Sequence, residues 1–413
     1  MRRVVILGGG FSGTSAARGI GRRLDVTVVS QDNFLLFTPM LAEAAVGDVD
    51  PRHIVTPIRQ LAPHARLVQG VVERVEAERR SIVIRPLFGD GVMQLEADNI
   101  IFALGSVPNT FGVPGVEEHA LPFKEIGDAL RIRNRLLALL EHSTQAPDPS
   151  LTRVVVIGAG YSGAEISGAL ADFLRPAAAR FYDEAPPPAV ILVDAVPRVT
   201  PALSPSLSAA AARALGARGV ELALGSAVTE VRPGGITLAS GRKIDAATVI
   251  WAAGVKPNPL VAQSGLPVEK GRLVVDGHLQ VSPGIFAIGD VARVEAGEGV
   301  SPPTAQFALR QGRYLGRYLP DLVNGSKTVP EFRYKTKGEL VSLGHRNAVG
   351  RTLGVPVSGF IGWFLWRTYY LWQLPSGLRK ARVALDWTLD LLFPPDIAWI
   401  PSSDLGPSSR RET

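Results

Sequence analysis

The sequence contains no cysteine among its 413 residues. A chain without thiols forms no disulfide, offers no thiolate nucleophile and provides no cysteine ligands for zinc or an iron–sulfur cluster. Disulfide reductases and enzymes of cysteine-dependent sulfide oxidation are therefore excluded. Long apolar runs are also missing, because no window supplies the roughly 20 uncharged apolar residues of a transmembrane helix.

Metal ligands and charged runs are sparse as well. The six histidines show no metal-ligand spacing, so we expect neither a structural nor a catalytic metal. The net charge is +6, but the basic residues are scattered along the chain, which argues against nucleic acid and leaves an anionic membrane surface open. The N-terminus reads directly as strand, turn and helix and not as a signal peptide, so a cytoplasmic location is expected.

One glycine motif occurs twice. Residues 8–13 read GGGFSG and residues 158–163 read GAGYSG, both of the form G-x-G-x-x-G. Each copy follows a short β-branched run and leads into an alanine-rich stretch, the strand–turn–helix context in which such a loop binds a pyrophosphate. The backbone amides at the start of the helix then face the anion. The sequence therefore predicts two dinucleotide sites, each at the start of a βαβ unit.

The apolar pattern predicts further elements around both motifs. Strands are expected over 25–30, 81–84 and 100–104 in the first unit, and over 190–194, 220–224 and 248–252 in the second, with a helix over 206–218. A Pro/Ser/Thr-rich stretch, 143–150, precedes the second motif. Another buried strand is expected within 284–290, where the chain ends the run with Gly289 and Asp290.

The last third of the chain has a different composition. Residues 359–374 are rich in tryptophan, tyrosine and phenylalanine with one charge, Arg367, and residues 378–393 combine three cationic side chains with leucines and Trp387. Such helices are typical of elements that lie in a membrane interface. A hydrophobic dimer interface or a helical hairpin on the protein core is the alternative. Residues 401–413 are expected to be a disordered tail.

Several segments together resemble the type II NADH dehydrogenases, which are single-subunit NADH:quinone oxidoreductases among the two-dinucleotide flavoproteins. They are residues 34–41 (FLLFTPML), 108–115 (PNTFGVPG), 250–255 (IWAAGV), 287–290 (AIGD), 302–306 (PPTAQ) and the aromatic block from Trp363. The resemblance implies an α/β fold with two Rossmann-like domains, the NADH domain inserted in the FAD domain, and a C-terminal amphipathic helical membrane-binding module. The implied bounds are 1–112 and 255–335 for FAD, 113–254 for NADH, 336–400 for the membrane or dimer module and 401–413 for the tail.

The resemblance also implies the cofactor-binding residues. For FAD they are Gly8, Gly10, Phe11, Gly13, Ser30, Pro39, Val72, Ala103, Gly105, Asp290, Ala305 and Gln306. Ser30 ends its strand where the fingerprint expects an acid, so a hydroxyl or Asp32 would hold the adenosine ribose; Asp290 could also be a plain helix cap. For NADH they are Gly158, Gly160, Tyr161, Ser162, Gly163, Glu165, Asp194 and Gly254. Asp194 favours NADH over NADPH, although Arg198 could soften that preference.

Three residues are implied in catalysis. Glu165 would face the nicotinamide, Gln306 would bond a quinone carbonyl, and Lys337 would stabilise the reduced flavin. Glu165 could instead satisfy the helix N-terminus and Lys337 could be a surface lysine. The implied function is transfer of a hydride from NADH to FAD and of two electrons to a membrane quinone, without proton pumping, at the cytoplasmic face of the membrane. A soluble NAD(P)H reductase and an NADH-sensing flavoprotein remain alternatives, and a homodimer remains open.

Overall fold

The computed structural model describes residues 1–295, 299–326, 328–336 and 338–399. The chain divides into two units. The first comprises Met1–Leu36, Val55–Val107 and Val255–Thr336. The second comprises Phe37–Ile54, Pro108–Gly254 and Lys337–Thr413, of whose last stretch residues 338–399 are described.

The described residues form ten α-helices and twenty-six strands. The helices are α1 Phe11–Ile20, α2 Leu41–Val46, α3 Ile58–Leu61, α4 Val116–His119, α5 Ile126–Gln145, α6 Tyr161–Phe181, α7 Pro205–Ala217, α8 Ala305–Val323, α9 Gly359–Gln373 and α10 Gly377–Leu392. The strands are β1 Arg3–Leu7, β2 Asp25–Ser30, β3 Phe34–Leu36, β4 Val55–Pro57, β5 Arg66–Glu76, β6 Ser81–Pro86, β7 Met93–Glu96, β8 Asn99–Phe102, β9 Ser106–Pro108, β10 Leu121–Pro122, β11 Arg153–Ile157, β12 Ala189–Asp194, β13 Glu221–Leu224, β14 Val228–Arg232, β15 Gly235–Leu238, β16 Lys243–Asp245, β17 Thr248–Trp251, β18 Val255–Pro257, β19 Val268–Glu269, β20 Arg272–Val274, β21 Gln280–Ser282, β22 Ile285–Ala287, β23 Ala292–Arg293, β24 Gly338–Ser342, β25 Ala348–Thr352 and β26 Val355–Ser358.

The first unit is built on an eight-stranded sheet in the order β21-β22-β8-β1-β2-β5-β6-β7. Strand β1 lies between β2 and β8 and is parallel to both, and its apolar residues 4–7 are buried. A continuous β-branched run suits this position because a central parallel strand is covered on both faces. Strand β22 pairs in parallel with β8, so the segment after Gly254 completes this sheet.

Helices α1 and α8 of the first unit pack with their backbones in contact. A Cβ atom on Gly19 would lie 2.7 Å from the Cα of Gly316, and one on Gly316 would lie 2.9 Å from the Cα of Gly19. No larger residue fits at this crossing without moving a helix. A Cβ on Gly312 of α8 would lie 2.2 Å from the Ser12 carbonyl oxygen, so α8 also packs against the N-terminal end of α1, which faces the predicted dinucleotide.

The second unit contains a five-stranded parallel sheet in the order β10-β17-β11-β12-β13, with the strand of the second motif, β11, at its centre. A three-stranded sheet, β14–β16, accompanies it. Helix α6 follows the motif, and its Gly168 leaves room for the turn after β24, since a Cβ there would lie 2.5 Å from the Leu343 carbonyl carbon. The C-terminal stretch thus packs on the motif helix of its own unit.

The C-terminal stretch consists of the sheet β24-β25-β26 and helices α9 and α10. Trp363, Trp366 and Arg367 of α9 and Val383 and Trp387 of α10 are buried. The opposite surfaces expose large apolar side chains, namely Phe360, Ile361, Phe364, Trp372, Leu378, Leu385, Leu389, Leu391 and Leu392. Among the described residues, the helices lack the combination of length and apolar character that a membrane span requires.

The predicted fold class is confirmed: two Rossmann-like sheets occur, the first with a parallel centre and antiparallel strands at both edges, and the second is inserted in the chain between strands of the first. The strand predicted over 25–30 has those bounds, and the other predicted bounds shift by one or two residues. Helix α5 continues to Gln145 and so includes the first three residues of the Pro/Ser/Thr-rich stretch. The predicted disordered tail, 401–413, lies outside the described residues.

Candidate cofactor and active site

The first glycine motif has the geometry of a pyrophosphate cradle. Gly8 has φ +117°, and a Cβ there would lie 2.2 Å from the Ala103 carbonyl oxygen. A Cβ on Gly13 would lie 2.0 Å from the Gly8 oxygen, whereas none of the described atoms lies within 4 Å of a Cβ built on Gly10. The first and third glycines are therefore required by packing, and the second faces open space at the start of α1.

Several predicted FAD residues lie around this cradle in the first unit. Ser30 ends β2 beside the motif, with its Oγ 2.6 Å from the position of a Cβ on Gly9. Asp290 accepts a hydrogen bond from the Ser106 hydroxyl at 2.6 Å. The Gly289 N–H donates to the Gln311 side chain at 2.6 Å, which holds the loop that carries Asp290 on helix α8. Phe11 begins α1, Val72 lies in β5, Ala103 and Gly105 follow β8, and Ala305 begins α8.

The second glycine motif repeats the cradle in the second unit. Gly158 has φ +106°, and a Cβ there would lie 2.4 Å from the Ala253 Cα. A Cβ on Gly163 would lie 1.7 Å from the Gly158 oxygen, and the described structure again leaves open space around Gly160. Ser162 is exposed in the first turn of α6. Both cradles have the shape that a dinucleotide pyrophosphate requires.

Asp194 is held beside the second cradle by backbone amides. Its two carboxylate oxygens accept hydrogen bonds from the Ala159 N–H at 2.5 Å and the Val196 N–H at 2.8 Å. A carboxylate so placed can still accept bonds from ribose hydroxyls and repels a 2′-phosphate. The Arg198 guanidinium donates to the Pro201 carbonyl at 2.7 Å. Arg198 is thus engaged with its own loop.

Glu165 lies in the first turns of α6 and is partly buried. The Ser342 N–H donates to its Oε1 at 3.4 Å. Burial and, to a smaller extent, the charge of the Glu43 carboxyl raise the pKa of Glu165 to about 8. The Trp366 indole N–H lies beside Glu165 and lowers the pKa, but among the described residues this N–H has no hydrogen-bond partner. At neutral pH Glu165 is therefore a protonated acid beside an unused donor.

Other predicted residues occupy scattered positions. Gln306 lies in the first turn of α8, where its Oε1 accepts a hydrogen bond from the Thr336 hydroxyl at 2.9 Å. Tyr161 donates to Glu339, which ties the second motif to β24. Pro39 lies in the 3-10 helix Thr38–Met40 of the second unit. Gly254 has φ +135° and is the last residue of the Pro108–Gly254 stretch of the same unit. Lys337 lies outside the described residues.

Glu43 is a residue that the sequence analysis did not single out. It lies in α2 between apolar neighbours and is 8% exposed, and its Oε2 accepts a hydrogen bond from the Trp387 indole N–H at 3.2 Å. Burial raises the pKa of Glu43 to about 8, although the positive charge of the Arg367 guanidinium lowers this pKa. Arg367 itself is stacked between two tryptophans, 4.2 Å from the Trp363 ring centre and 4.5 Å from that of Trp387.

A charged cluster lies near Glu43. His345 Nε2 lies 3.0 Å from an Asp48 oxygen and 3.5 Å from an Asp390 oxygen. The hydrogen bond to Asp48 raises the pKa of His345 to about 9, although burial opposes it. The three ligand atoms are close enough to suit a cation. The same distances fit a histidine hydrogen-bonded to carboxylates, and we assign no metal to this cluster. In the sequence, the only signs of a polar site near Glu43 are Glu43 itself and Arg367, each a single charged residue within an apolar run.

Comparison with known proteins places the chain in a family. Residues 2–312 match the pyridine nucleotide-disulphide oxidoreductase family. The chain is 32% identical over 414 residues to the type II NADH:quinone oxidoreductase Ndh of Mycobacterium tuberculosis, with 94% of this chain and 88% of the relative covered. It is 31% identical over 412 residues to a probable NADH dehydrogenase of Dictyostelium discoideum, with 96% and 91% covered.

Solved structures share the fold. NDH2 from Plasmodium falciparum in complex with NADH has a TM-score of 0.90 at 21% identity, over 96% of this chain and 99% of that chain. The disulphide chemistry in the family name does not apply here, since the sequence contains no cysteine. The chain belongs to the pyridine nucleotide-disulphide oxidoreductase family and, within it, to the type II NADH:quinone oxidoreductases.

Proposed function

We propose that this protein is an FAD-dependent NADH:quinone oxidoreductase that pumps no protons. The observation that carries the proposal is the pair of matched glycine cradles in a chain without any thiol. Two dinucleotide sites permit electron transfer from one cofactor to another, and the lack of cysteine means that electrons leave the flavin directly for an acceptor. The names of the relatives, NADH dehydrogenase and NADH:quinone oxidoreductase, support NADH and a quinone as the substrates.

The first cradle would hold FAD. Amides at the start of α1 would bind the pyrophosphate above Gly10, and Asp290, oriented by Ser106, would bind the ribityl or phosphate region. Ser30 would contact the adenosine ribose through its hydroxyl. When bound, FAD supplies the hydride acceptor and the two-electron donor of the reaction. The remaining predicted FAD contacts are Gly8, Phe11, Gly13, Pro39, Val72, Ala103, Gly105, Ala305 and Gln306.

The second cradle would hold NADH. Amides near Gly160 and Ser162 would bind its pyrophosphate, and Asp194 would bind the adenosine ribose and repel the 2′-phosphate of NADPH. Glu165 would bond the nicotinamide carboxamide and align the ring for hydride transfer. Gly158, Tyr161, Gly163 and Gly254 complete the predicted contacts.

The quinone would be held by polar groups at the end of an apolar site. Gln306 would donate to one quinone carbonyl through its amide, whose oxygen already accepts from Thr336. Lys337 would stabilise negative charge on the reduced flavin. Accordingly, we propose residues 1–112 and 255–335 as the FAD domain, 113–254 as the NADH domain and 336–400 as the membrane or dimer module.

The exposed apolar face of α10 supports binding to a membrane surface. Leu378, Leu385, Leu389 and Leu392 recur at helical spacing and are each at least 45% exposed, while Trp387 on the other side is buried. An amphipathic helix of this kind lies in the interface with its leucines among the acyl chains. We place the protein at the cytoplasmic face, and a homodimer through the same surface is the competing use of these leucines.

The function is tested with the purified full-length protein. It should be yellow, show a flavin absorption spectrum, and oxidise NADH only when a quinone analogue is supplied. Rates with NADPH should be lower than with NADH. NADH oxidation with a small soluble acceptor but with no quinone would point to a soluble reductase, and a colourless protein that takes up no FAD would refute the proposal.

A further inference from the structure

The segment 108–115 (PNTFGVPG) contributes to the family resemblance, but the proposed function assigns it no role. Phe111, at its centre, is an apolar residue that is 63% exposed. Its backbone also has φ +52°, in the left-handed region that bulky side chains disfavour. Strain of this kind persists only where the surrounding structure enforces it, and it is common at ligand-binding positions. The exposed ring of Phe111 is therefore a candidate ligand contact.

Hydrogen bonds hold the backbone of Phe111 in place. Its N–H donates to the Asn109 side-chain oxygen at 3.1 Å. The backbone of Asn109 is fixed in turn, because its N–H donates to the Gly254 carbonyl at 3.0 Å and its carbonyl accepts from the Trp251 indole N–H at 2.9 Å. Trp251 is buried at the end of β17, so the loop is attached to the core of the second unit. A ring on such a preformed loop loses little conformational entropy when it binds a ligand.

Phe111 lies beside the second cradle. The residues that follow β17 pack on the first glycine of the motif, since a Cβ on Gly158 would lie 2.4 Å from the Ala253 Cα. The Phe111 ring packs on the end of the same stretch, since its Cζ would lie 3.7 Å from a Cβ on Gly254. These residues all belong to the Pro108–Gly254 stretch of the second unit. Only Ala253 and Gly254 thus separate the exposed ring from the loop proposed to bind a pyrophosphate.

The order of the strands determines which half of NADH lies near Phe111. In the sheet β10-β17-β11-β12-β13, the motif strand β11 has β12 on one side and β17 on the other. Asp194 ends β12 and is proposed to bind the adenosine ribose, whereas Phe111 contacts Gly254, which follows β17. A dinucleotide places its pyrophosphate at the glycine loop and its two halves on opposite sides of the motif strand. With the adenosine on the β12 side, the nicotinamide half extends to the β17 side, towards Phe111.

We propose that Phe111 packs against the nicotinamide ring of NADH and thereby holds this half of the nucleotide. The proposal rests on the proposed function, because it requires NADH in the second cradle. The glycine motif and Asp194 bind the pyrophosphate and the adenosine half, so neither contributes affinity for the nicotinamide ring. An aromatic side chain supplies it, since two flat rings attract each other in offset or edge-to-face arrangements. The face of Phe111 also attracts the positive charge of oxidised nicotinamide, so the contact holds NAD⁺ as well.

Titration calorimetry of the holoprotein with two ligands tests the contact. NAD⁺ contains the nicotinamide ring, whereas ADP-ribose has the same adenosine, pyrophosphate and second ribose without that ring. In Phe111→Leu, which keeps an apolar side chain but removes the aromatic ring, the Kd of NAD⁺ should rise about three- to tenfold, the range expected for one aromatic contact. The Kd of ADP-ribose should remain that of wild type. Neither measurement requires electron transfer to a quinone.

Two further variants separate the effect of the ring from that of the backbone. Phe111→Tyr retains the aromatic ring and should bind NAD⁺ as wild type does. Phe111→Gly relieves the strain at φ +52°, so in thermal unfolding it should be at least as stable as wild type. It should nevertheless lose as much affinity for NAD⁺ as Phe111→Leu does. If Phe111→Leu does not fold, Phe111→Gly provides the same test.

Phe181→Leu is the matched control. Phe181 is also an exposed phenylalanine, but it ends α6 and lies about 30 Å along this helix from the cradle. This variant should bind both ligands as wild type does. Wild-type affinity for NAD⁺ in Phe111→Leu would overturn the contact, as would an equal loss of affinity for ADP-ribose. A wild-type protein that binds neither ligand would instead overturn the second cradle as a nucleotide site, and the proposed function with it.

Discussion

At the scale of single residues, the carboxyls of Glu43, which is buried, and Glu165, which is partly buried, link protonation to stability. Each has a pKa of about 8 in the folded protein against an ordinary value of 4.5. A raised carboxyl pKa means that the folded state binds the proton more tightly than the unfolded state. The resulting stability is complete below the ordinary pKa and is lost as pH rises through the folded pKa.

The melting temperature of the holoprotein should therefore decline between about pH 5 and about pH 8, with each group contributing at most about 1.4 kcal/mol per pH unit. Glu43→Gln should flatten the decline, because glutamine does not titrate. Thermal unfolding followed by circular dichroism at several pH values measures this. Parallel curves for wild type and variant would mean that Glu43 is ionised in the folded state.

Glu165→Gln tests the other carboxyl. The variant should retain FAD, since Glu165 lies in the second unit and away from the first cradle in the chain. Its turnover with NADH and a quinone should fall about 10- to 100-fold, because the carboxyl proposed to align the nicotinamide for hydride transfer is replaced by an amide. Steady-state kinetics together with the flavin absorbance measure both effects. Unchanged turnover would leave Glu165 as a structural residue at the start of α6.

The sequence predicted Glu165 but not its neighbours, and the reason is distance along the chain. Glu165 follows a motif whose spacing is local. His345 and Asp48 are 297 residues apart and Trp387 and Glu43 are 344 residues apart, and only tertiary packing brings them together. Such contacts leave no periodic pattern in the sequence.

At the scale of elements, the two strand–turn–helix units were predictable because they depend on local rules. β-branched runs favour buried parallel strands. Glycine is required at the tightest motif position, because a Cβ on Gly163 would lie 1.7 Å from the Gly158 oxygen. The complete sheet around the first motif was not predictable in this way, because β22 pairs with β8 across about 180 residues of intervening chain. In this case the family resemblance, and not the local pattern, predicted the insertion.

The motif geometry predicts that Gly160→Ala folds but binds NADH poorly. Its φ of −70° suits alanine, and the described structure leaves a Cβ there without contacts, but this Cβ would occupy the space proposed for the pyrophosphate. The KM for NADH should rise about tenfold or more, equivalent to at least about 1.4 kcal/mol, while the flavin is retained.

Gly10→Ala is the matched variant, since its φ is −74° and its Cβ also meets open space. It should lose FAD and keep its fold. Equal loss of flavin in both variants would contradict the assignment of one cofactor to each cradle. Circular dichroism, flavin content and NADH kinetics separate these outcomes.

At the scale of the whole molecule, the net charge of +6 and the leucine face of α10 act together at an anionic bilayer. Leu385→Glu with Leu389→Glu should abolish most co-sedimentation with anionic vesicles, because two charges would enter the apolar layer. Added salt should weaken binding of the wild type. Leu130→Glu, an exposed leucine of α5, is the control and should bind as wild type does. Unchanged sedimentation of the double variant would favour a dimer interface for this face.

The placement of the indole rings gives the molecule an internal optical probe. Five of its six tryptophans stand at position 363 or later, and Trp363 and Trp387 enclose one guanidinium between them. Only Trp251 emits from elsewhere in the chain. Intrinsic fluorescence will therefore report mainly on α9 and α10, and a shift in its emission maximum on adding lipid can be read without attaching any label.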